Sequence, residues 1–146
     1  MRVLLSYSGI FNYLVYYLNK NLILQNMSIE GKDLGKLGEE IAEKYLSENN
    51  FKIIIRNYRS GKGEIDIIAE DPEDNYLVFL EVKTRYSLKY GAPEYAITPA
   101  KQKQIKRVAE MYLFENAIRE KDCRFDVITI IMKKEPVINH YKNAFM

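Results

Sequence analysis

The chain has 146 residues, of which 47% are hydrophobic and 29% are charged, and its net charge is +2. This length suits one domain with a real core, and the composition is that of an ordinary globular protein. The near-neutral total charge identifies no class of partner, so only the distribution of charge can do so. A single cysteine, Cys123, excludes an internal disulfide framework and fits a reducing compartment, so we expect a cytoplasmic protein. The single histidine, His140, lies in a polar tail, where nothing supports a histidine-based metal site or catalytic triad.

Residues 1–27 form an apolar N-terminal extension, and residues 28–146 are predicted to form a single domain. The stretch 1–18 carries one charge, Arg2, but it is interrupted by polar residues. It is also shorter than the roughly 20 apolar residues that a membrane-spanning helix needs, so we expect no stable membrane insertion. The preferred interpretation is an extension from an upstream start codon, and a weak membrane-surface helix is the alternative.

The domain begins with a predicted helix and a predicted strand. From Asp33 to Asn49, apolar residues recur at helical spacing, with Glu39 among the acidic residues between them. Phe51 to Tyr58 is rich in isoleucine, which predicts a β-strand. Arg56 and Arg59 are candidates to hold phosphates, although charges on an edge strand are the commoner explanation. Glu39 has a functional role only if its helix packs beside the hairpin that follows.

The central stretch of the chain is a predicted β-hairpin between residues 61 and 85. Two apolar segments flank a cluster of turn-forming residues, which is the usual hairpin pattern. A hairpin centred on that turn places Asp66 opposite Glu81 and Glu64 opposite Lys83, all on one face. A slip of one residue would undo this arrangement, so the prediction depends on the register.

The two carboxylates of this hairpin are candidate metal ligands. Carboxylates held side by side repel each other unless a cation lies between them. Asp66 and Glu81, with the carbonyl of Val82, offer few ligands and only oxygens, which suits Mg²⁺ or Mn²⁺. Lys83 is a candidate to orient a water and to offset charge in the transition state. The alternative is a solvated hairpin face that carries salt-bridged charges.

The remaining elements complete an α/β pattern. Thr98 to Ile118 is predicted to be a helix, because Thr98 can cap it and Pro99 suits its first position. Arg124 to Met132 is predicted to be the final strand, and it is followed by a polar tail from Lys133. The order of helix, three strands, helix and strand predicts a mixed sheet with helices on its faces. This is the αβββαβ core of the restriction-endonuclease-like fold.

Positive charge is concentrated between Lys83 and Arg107. This segment contains seven positively charged residues and one negatively charged residue, Glu94, so it carries +6, while the rest of the chain carries −4. Lys101 and Lys103 lie at the start of the predicted second helix, where cations are unfavourable because of the helix dipole. A bound phosphate would explain them, and a solvated helix face is the alternative. The candidate contacts to nucleic acid are Arg56, Arg59, Arg85, Lys101, Lys103, Lys106 and Arg107.

Several short motifs between residues 33 and 131 occur together. They are Gly38-Glu39, Arg56-Asn57-Tyr58-Arg59, Gly63-Glu64-Ile65-Asp66, Phe79-Leu80-Glu81-Val82-Lys83-Thr84-Arg85, Gly91 with Pro93, Thr98-Pro99-Ala100-Lys101-Gln102 and Phe125-Asp126-Val127. This combination resembles the bacterial YraN-type family, uncharacterised protein family 0102, which is similar to restriction-endonuclease-like and Holliday-junction-resolvase-like nucleases. The resemblance implies nucleic-acid binding and Mg²⁺-dependent phosphodiester cleavage. It carries over Asp66, Glu81 and Lys83 as the catalytic trio and Glu39 as an accessory residue.

Three functions are compatible with the sequence. The first is a nuclease of the PD-(D/E)XK type that uses Mg²⁺ or Mn²⁺ and acts on nucleic acid, with DNA the expected partner. The second is a catalytically silent nucleic-acid-binding module with the same fold, although an intact trio argues against lost chemistry. The third is a membrane-surface interaction protein built on residues 1–27. The sequence leaves a homodimer and the branching of the substrate open.

Overall fold

The computed structural model describes residues 31–86 and 97–146, with side chains from residue 34 onward in the first helix. The extension 1–27 and the loop with Gly91 and Pro93 lie outside these ranges. Within them, no helix is long and apolar enough to cross a membrane. The elements are α1 (Gly31–Glu48), β1 (Lys52–Ser60), β2 (Gly63–Asp71), β3 (Tyr76–Arg85), α2 (Pro99–Glu115), β4 (Cys123–Ile131) and β5 (Val137–Tyr141).

The five strands form one mixed sheet in the order β1-β2-β3-β4-β5. The β3 and β4 strands are parallel and are connected through α2, whereas every other neighbouring pair is antiparallel. This confirms the predicted α/β fold, which is consistent with a restriction-endonuclease-like core. The prediction that β4 is the last strand is wrong, because β5 pairs with it from within the tail. An edge strand needs only partial burial, so its short sequence carries a weak pattern.

The second helix packs on one face of the sheet. It begins as predicted, with the Thr98 hydroxyl accepting the Lys101 N–H at 3.2 Å and with Pro99 in the first turn. Its buried side chains pack in one cluster with Phe79 of β3. Residues of the opposite parity in β3 and β4 are also fully buried, so both faces of the central strands are covered. The buried residues of α2 are Ile105, Val108, Ala109 and Tyr112.

The first helix lies against the other face, at the carboxyl end of β3. A Cβ atom on Gly38 would lie 1.7 Å from the Thr84 hydroxyl oxygen, so only glycine allows α1 to approach the strand this closely. Thr84 has the opposite parity to Phe79, which packs against α2. The helix therefore packs beside the hairpin, which is the condition that the sequence set for a functional role of Glu39.

The predicted hairpin register is confirmed, but the hairpin opens early. Ile67 pairs with Leu80 and Ile68 with Phe79, and the same register continued by one step sets Asp66 beside Glu81. The β2–β3 ladder stops at Ile67, whereas β3 continues alongside β4 as far as Arg85. The two strands therefore separate at the carboxylates.

The side chains of β2 do not alternate as regularly as predicted. Ile65 and Ile68 lie in the same buried cluster with α2, although residues three apart on a regular strand face opposite sides. The ladder also ends before it reaches Glu64 and Lys83, although Glu64 still pairs with Arg59 of β1 on the other side of β2. The single face that was predicted to carry Asp66, Glu81, Glu64 and Lys83 is therefore interrupted near Asp66.

Candidate active site

Asp66 and Glu81 form a buried carboxylate pair at the point where β2 and β3 separate. Asp66 is 9% exposed and Glu81 is 2% exposed. The N–H of Val82 donates to Asp66 Oδ2 at 2.7 Å, so this side chain replaces the backbone acceptor that β2 no longer provides. The N–H and C=O of one strand residue point to the same side, so the Val82 carbonyl faces this gap as well.

The environment of Asp66 disfavours its charged form. Burial is the largest cause, followed by the charge of Glu81, and together they raise the pKa of Asp66 to about 7. The charge of Glu39 acts in the same direction, while the Val82 hydrogen bond and Lys83 oppose it. Two neighbouring carboxylates in a buried site cannot both ionise freely without a cation.

Two lysines approach the same oxygen of this pair. Lys83 Nζ lies 2.6 Å from Glu81 Oε1, and Lys101 Nζ lies 3.2 Å from that atom. The other oxygen, Glu81 Oε2, is buried and has no hydrogen-bond partner among the described residues. Lys101 was predicted as a phosphate contact, and its position at the start of α2 also brings it to the carboxylate site. Lys101 was notable in the sequence because a cation at the start of a helix opposes the helix dipole. A nearby buried carboxylate accounts for such a cation as well as a bound phosphate does.

The residues present fit a divalent cation that keeps part of its water shell. A buried carboxylate oxygen without a partner carries a desolvation cost that a bound cation would remove. Asp66, Glu81 and the Val82 carbonyl offer only oxygens, which are the ligands that Mg²⁺ and Mn²⁺ prefer. Within residues 31–86 and 97–146, no group of three or more acidic, histidine or cysteine side chains could hold a metal. A cation here would therefore depend on this pair, the carbonyl and waters.

Glu39 of α1 lies near enough to Asp66 for its charge to raise the pKa of that carboxyl. It follows Gly38, whose close packing on Thr84 holds that part of the helix beside the end of β3. Its Oε2 accepts a hydrogen bond from Asn57 Nδ2 of β1 at 3.1 Å. Asn57 was part of a sequence motif but was not predicted as a site residue, and its left-handed φ of 50° was not evident from the sequence.

The other predicted contacts to nucleic acid are dispersed. Arg56 and Arg59 form ion pairs with Glu43 and Glu64, respectively, along the edge strand β1. Arg85 lies two residues beyond Lys83 on β3, at the same end of the sheet. On α2, Lys103 and Arg107 are exposed, while Lys106 donates to the carbonyl of Met146.

A second charged cluster, which the sequence did not reveal, lies at the opposite end of β2. Arg124 donates to Asp126 Oδ1 at 2.9 Å and to Asp71 Oδ2 at 2.8 Å. Asp126 is fully buried and also contacts His140 Nε2 at 2.8 Å and the Asn143 N–H at 2.9 Å. Burial alone would raise the pKa of Asp126, but the bonds from His140 and Arg124 outweigh it and lower that pKa. His140 is therefore a structural residue of β5, a strand that was not predicted in the polar tail.

The fold and the site define an α/β protein with a restriction-endonuclease-like core and two carboxylates beside a lysine at the open end of a hairpin. The profile of uncharacterised protein family UPF0102 matches residues 38–130. A UPF0102 protein of Pelobacter propionicus is 42% identical over 118 residues, which cover 80% of this chain and 84% of that protein. UPF0102 proteins of Chlorobium phaeobacteroides (45% over 126 residues, 82% and 98% coverage) and Geobacter sulfurreducens (44% over 120 residues, 81% and 92% coverage) are similar. The chain therefore belongs to the UPF0102 family, the YraN-type family that its motifs predicted.

Proposed function

We propose that this protein is a metal-dependent nuclease of the PD-(D/E)XK type that cleaves phosphodiester bonds in nucleic acid, with DNA as the expected substrate. The observation that carries the proposal is the buried Asp66–Glu81 pair, with Lys83 2.6 Å from Glu81, at the opening of the hairpin. A purely structural ion pair would satisfy both oxygens of each carboxylate. Here Glu81 Oε2 has no partner among the described residues, and the pKa of Asp66 is raised to about 7 by burial and by Glu81.

Each residue has a distinct role in this proposal. Asp66, Glu81 and the Val82 carbonyl would hold Mg²⁺ or Mn²⁺, which when bound polarises a phosphoryl oxygen and acidifies a water. Lys83 would orient the attacking water and offset the negative charge that develops on the phosphate oxygens. Lys101 contacts the same carboxylate oxygen from α2. When substrate binds, a short movement of the Lys101 side chain would let it leave Glu81 and contact a substrate phosphate.

The surface around the pair would hold the nucleic-acid backbone. The Thr98 hydroxyl already accepts the Lys101 N–H at the start of α2, so the positive charge there comes mainly from side chains, and Lys103 and Arg107 are exposed along the same helix. Arg85 extends the positive charge along β3. Contacts of this kind fix the position of the backbone but do not distinguish bases.

A catalytically silent nucleic-acid-binding module is the second candidate. One observation favours it: two ammonium groups already lie within 3.2 Å of Glu81 Oε1. They compensate part of the negative charge without a metal. In that case Lys83 would be a structural partner of Glu81.

A cleavage screen distinguishes the two functions. The full chain is incubated with branched, flapped, single-stranded and duplex DNA and RNA, in Mg²⁺, in Mn²⁺ and in chelator. The nuclease requires turnover that stops with chelator and is lost in Asp66→Asn and in Lys83→Ala. Binding to these substrates without turnover in either metal would support the silent module instead.

A further inference from the structure

Asn57 occupies an unusual place in β1. Its neighbours Arg56 and Tyr58 pair with Ile67 and Ile65 of β2, so Asn57 lies across from Asp66. Its φ is 50°, in the left-handed region, although it stands inside a strand. That conformation is strained for a residue with a side chain, and asparagine tolerates it better than most.

The regular alternation of side chains between the two faces of the sheet breaks at this residue. Ile55 and Tyr58 of β1 both pack against the core cluster on the α2 side, although they are three residues apart. Ile65 and Ile68 of β2 do the same on either side of Asp66. In a regular strand one member of each pair would face the opposite side. The break in alternation is therefore centred on Asn57 and Asp66, and it coincides with the end of the β2–β3 ladder.

The side chain of Asn57 makes a second link to the site. Its Nδ2 donates to Glu39 Oε2 at 3.1 Å, which connects β1 to α1. Gly38, the residue before Glu39, packs closely against Thr84 of β3. The amide thus restrains Glu39, whose charge contributes to the raised pKa of Asp66.

We propose that Asn57 is a positioning residue: its left-handed backbone turns Asp66 out of the β-ladder towards Val82, and its amide holds Glu39 beside the same site. The inference rests on the proposed function, because it is tested by the affinity for the divalent cation that the proposed function requires. Partners of this kind, which orient the groups nearest to a metal, typically contribute about 10- to 100-fold to affinity or activity.

The chain provides a matched control for the conformation. Asn75, in the turn between β2 and β3, also has a left-handed φ, of 57°, and its amide oxygen accepts a hydrogen bond from Lys121 at 2.7 Å. It has the same residue type and conformation, and its amide also contacts a charged side chain, but it lies at the opposite end of the hairpin from Asp66. Substitutions at the two positions have matching effects on the backbone, because glycine keeps the left-handed conformation and alanine disfavours it.

The test is calorimetric titration of Mn²⁺ into the full chain, with thermal melting of each metal-free variant. Asn57→Gly keeps the backbone and removes the amide, and we expect it to weaken Mn²⁺ binding about 10-fold. Asn57→Ala also disfavours the left-handed backbone conformation, and we expect it to weaken Mn²⁺ binding further. Asn75→Gly and Asn75→Ala should lower the melting temperature to a similar extent and leave Mn²⁺ affinity within about 2-fold of the wild type.

A Glu39→Ala background separates positioning from a general loss of structure. If the amide acts through Glu39, adding Asn57→Gly there should change Mn²⁺ affinity by less than about 2-fold. Asn57 variants that bind Mn²⁺ as the Asn75 variants do, or a full 10-fold loss that persists without Glu39, would overturn the inference and leave the proposed function intact. A wild-type protein that binds no Mn²⁺ would overturn both.

Discussion

Two aspartates of β2 have similar burial and opposite electrostatics. Asp66 is 9% exposed and Asp71 is 2% exposed, and burial raises the pKa of each. At Asp71, hydrogen bonds from Arg124 and Lys142 outweigh burial and hold the pKa below its ordinary value. At Asp66, the neighbour is Glu81, and the pKa rises to about 7. Burial raises the pKa of both carboxyls, and the neighbouring charges decide whether that effect is outweighed, as at Asp71, or increased, as at Asp66.

The same contrast extends to the second acid of each cluster. Asp126 is bound by Arg124, His140 and the Asn143 N–H, so its cluster is complete within the fold. Glu81 receives Lys83 and Lys101 on one oxygen only, and its other oxygen is buried without a partner among the described residues. A complete cluster stabilises the fold, whereas an incomplete one can accept a ligand.

Breaking the complete cluster should have the largest effect on stability. Arg124→Met leaves Asp71 and Asp126 buried without their main cation, and loss of one partner of a buried ion pair costs about 3–5 kcal/mol. Denaturant unfolding measures the change, and Mn²⁺ affinity should stay within about 2-fold of the wild type. Arg56→Met, which removes an exposed ion pair with Glu43, is the control and should cost about 1 kcal/mol or less. Equal effects of the two variants would show that the Arg124 cluster is not a special source of stability.

Removing Lys83 from the incomplete cluster should lower the rate of cleavage. Lys83→Ala removes a charge that acts in the transition state, so we expect turnover to fall about 100-fold or more while Mn²⁺ affinity is retained. Single-turnover cleavage and calorimetry measure the two quantities. Lys62→Ala, at an exposed lysine in the β1–β2 turn, is the control. Undiminished cleavage by Lys83→Ala would assign Lys83 to a structural ion pair with Glu81.

The two aspartates should respond to pH in opposite directions in metal-free protein. The pKa of Asp66 is raised by folding, so its contribution to stability is present below about pH 4 and is lost as the pH rises through about 7. Asp66→Asn should therefore exceed the wild type in free energy of unfolding at pH 8, by about 1–3 kcal/mol, and the difference should vanish near pH 4.

Asp71→Asn is the matched variant for this experiment. The pKa of Asp71 is lowered, so its contribution is present above the unfolded pKa of about 4 and is lost as the pH falls through the lower folded value. This variant should be less stable than the wild type at pH 8. If both aspartate variants lose stability at pH 8, the contrast between the clusters is wrong.

The smallest expected effect concerns the surface of α2. Replacing Lys101, Lys103 and Lys106 with glutamine should weaken binding to all duplex sequences alike. It should also flatten the plot of log affinity against log salt by about 0.9 per lost phosphate contact. Glutamine at Lys52, Lys133 and Lys134, which are exposed elsewhere, makes the same change in net charge. An identical salt slope for both triple variants would place the nucleic-acid contacts away from α2.

Local patterns predicted the features that depend on neighbouring residues. The turn between the apolar segments was enough to define the register that sets Asp66 beside Glu81. Thr98 and Pro99 were enough to define the start of α2. These features were predictable because turn geometry and helix capping are determined within a few residues.

Features that depend on distant residues were not predictable in this way. Arg124 forms a hydrogen bond with Asp71, which lies 53 positions earlier, and no spacing in the sequence predicts that contact. The kink at Asn57 falls in an isoleucine-rich strand whose pattern does not distinguish one face from the other. The β5 strand is defined by its pairing with β4 rather than by a strong pattern of its own.

The central claim is that the Asp66–Glu81 pair is built to receive a divalent cation, and calorimetric titration of Mn²⁺ tests it most directly. The experiment compares the wild type with Asp66→Asn and with Asp71→Asn, which makes the same substitution in the cluster that is already satisfied. We predict that Asp66→Asn weakens Mn²⁺ binding by at least about 10-fold, whereas Asp71→Asn, measured where it is folded, leaves the affinity within about 2-fold. Equal Mn²⁺ affinity in the wild type and in Asp66→Asn would contradict the claim.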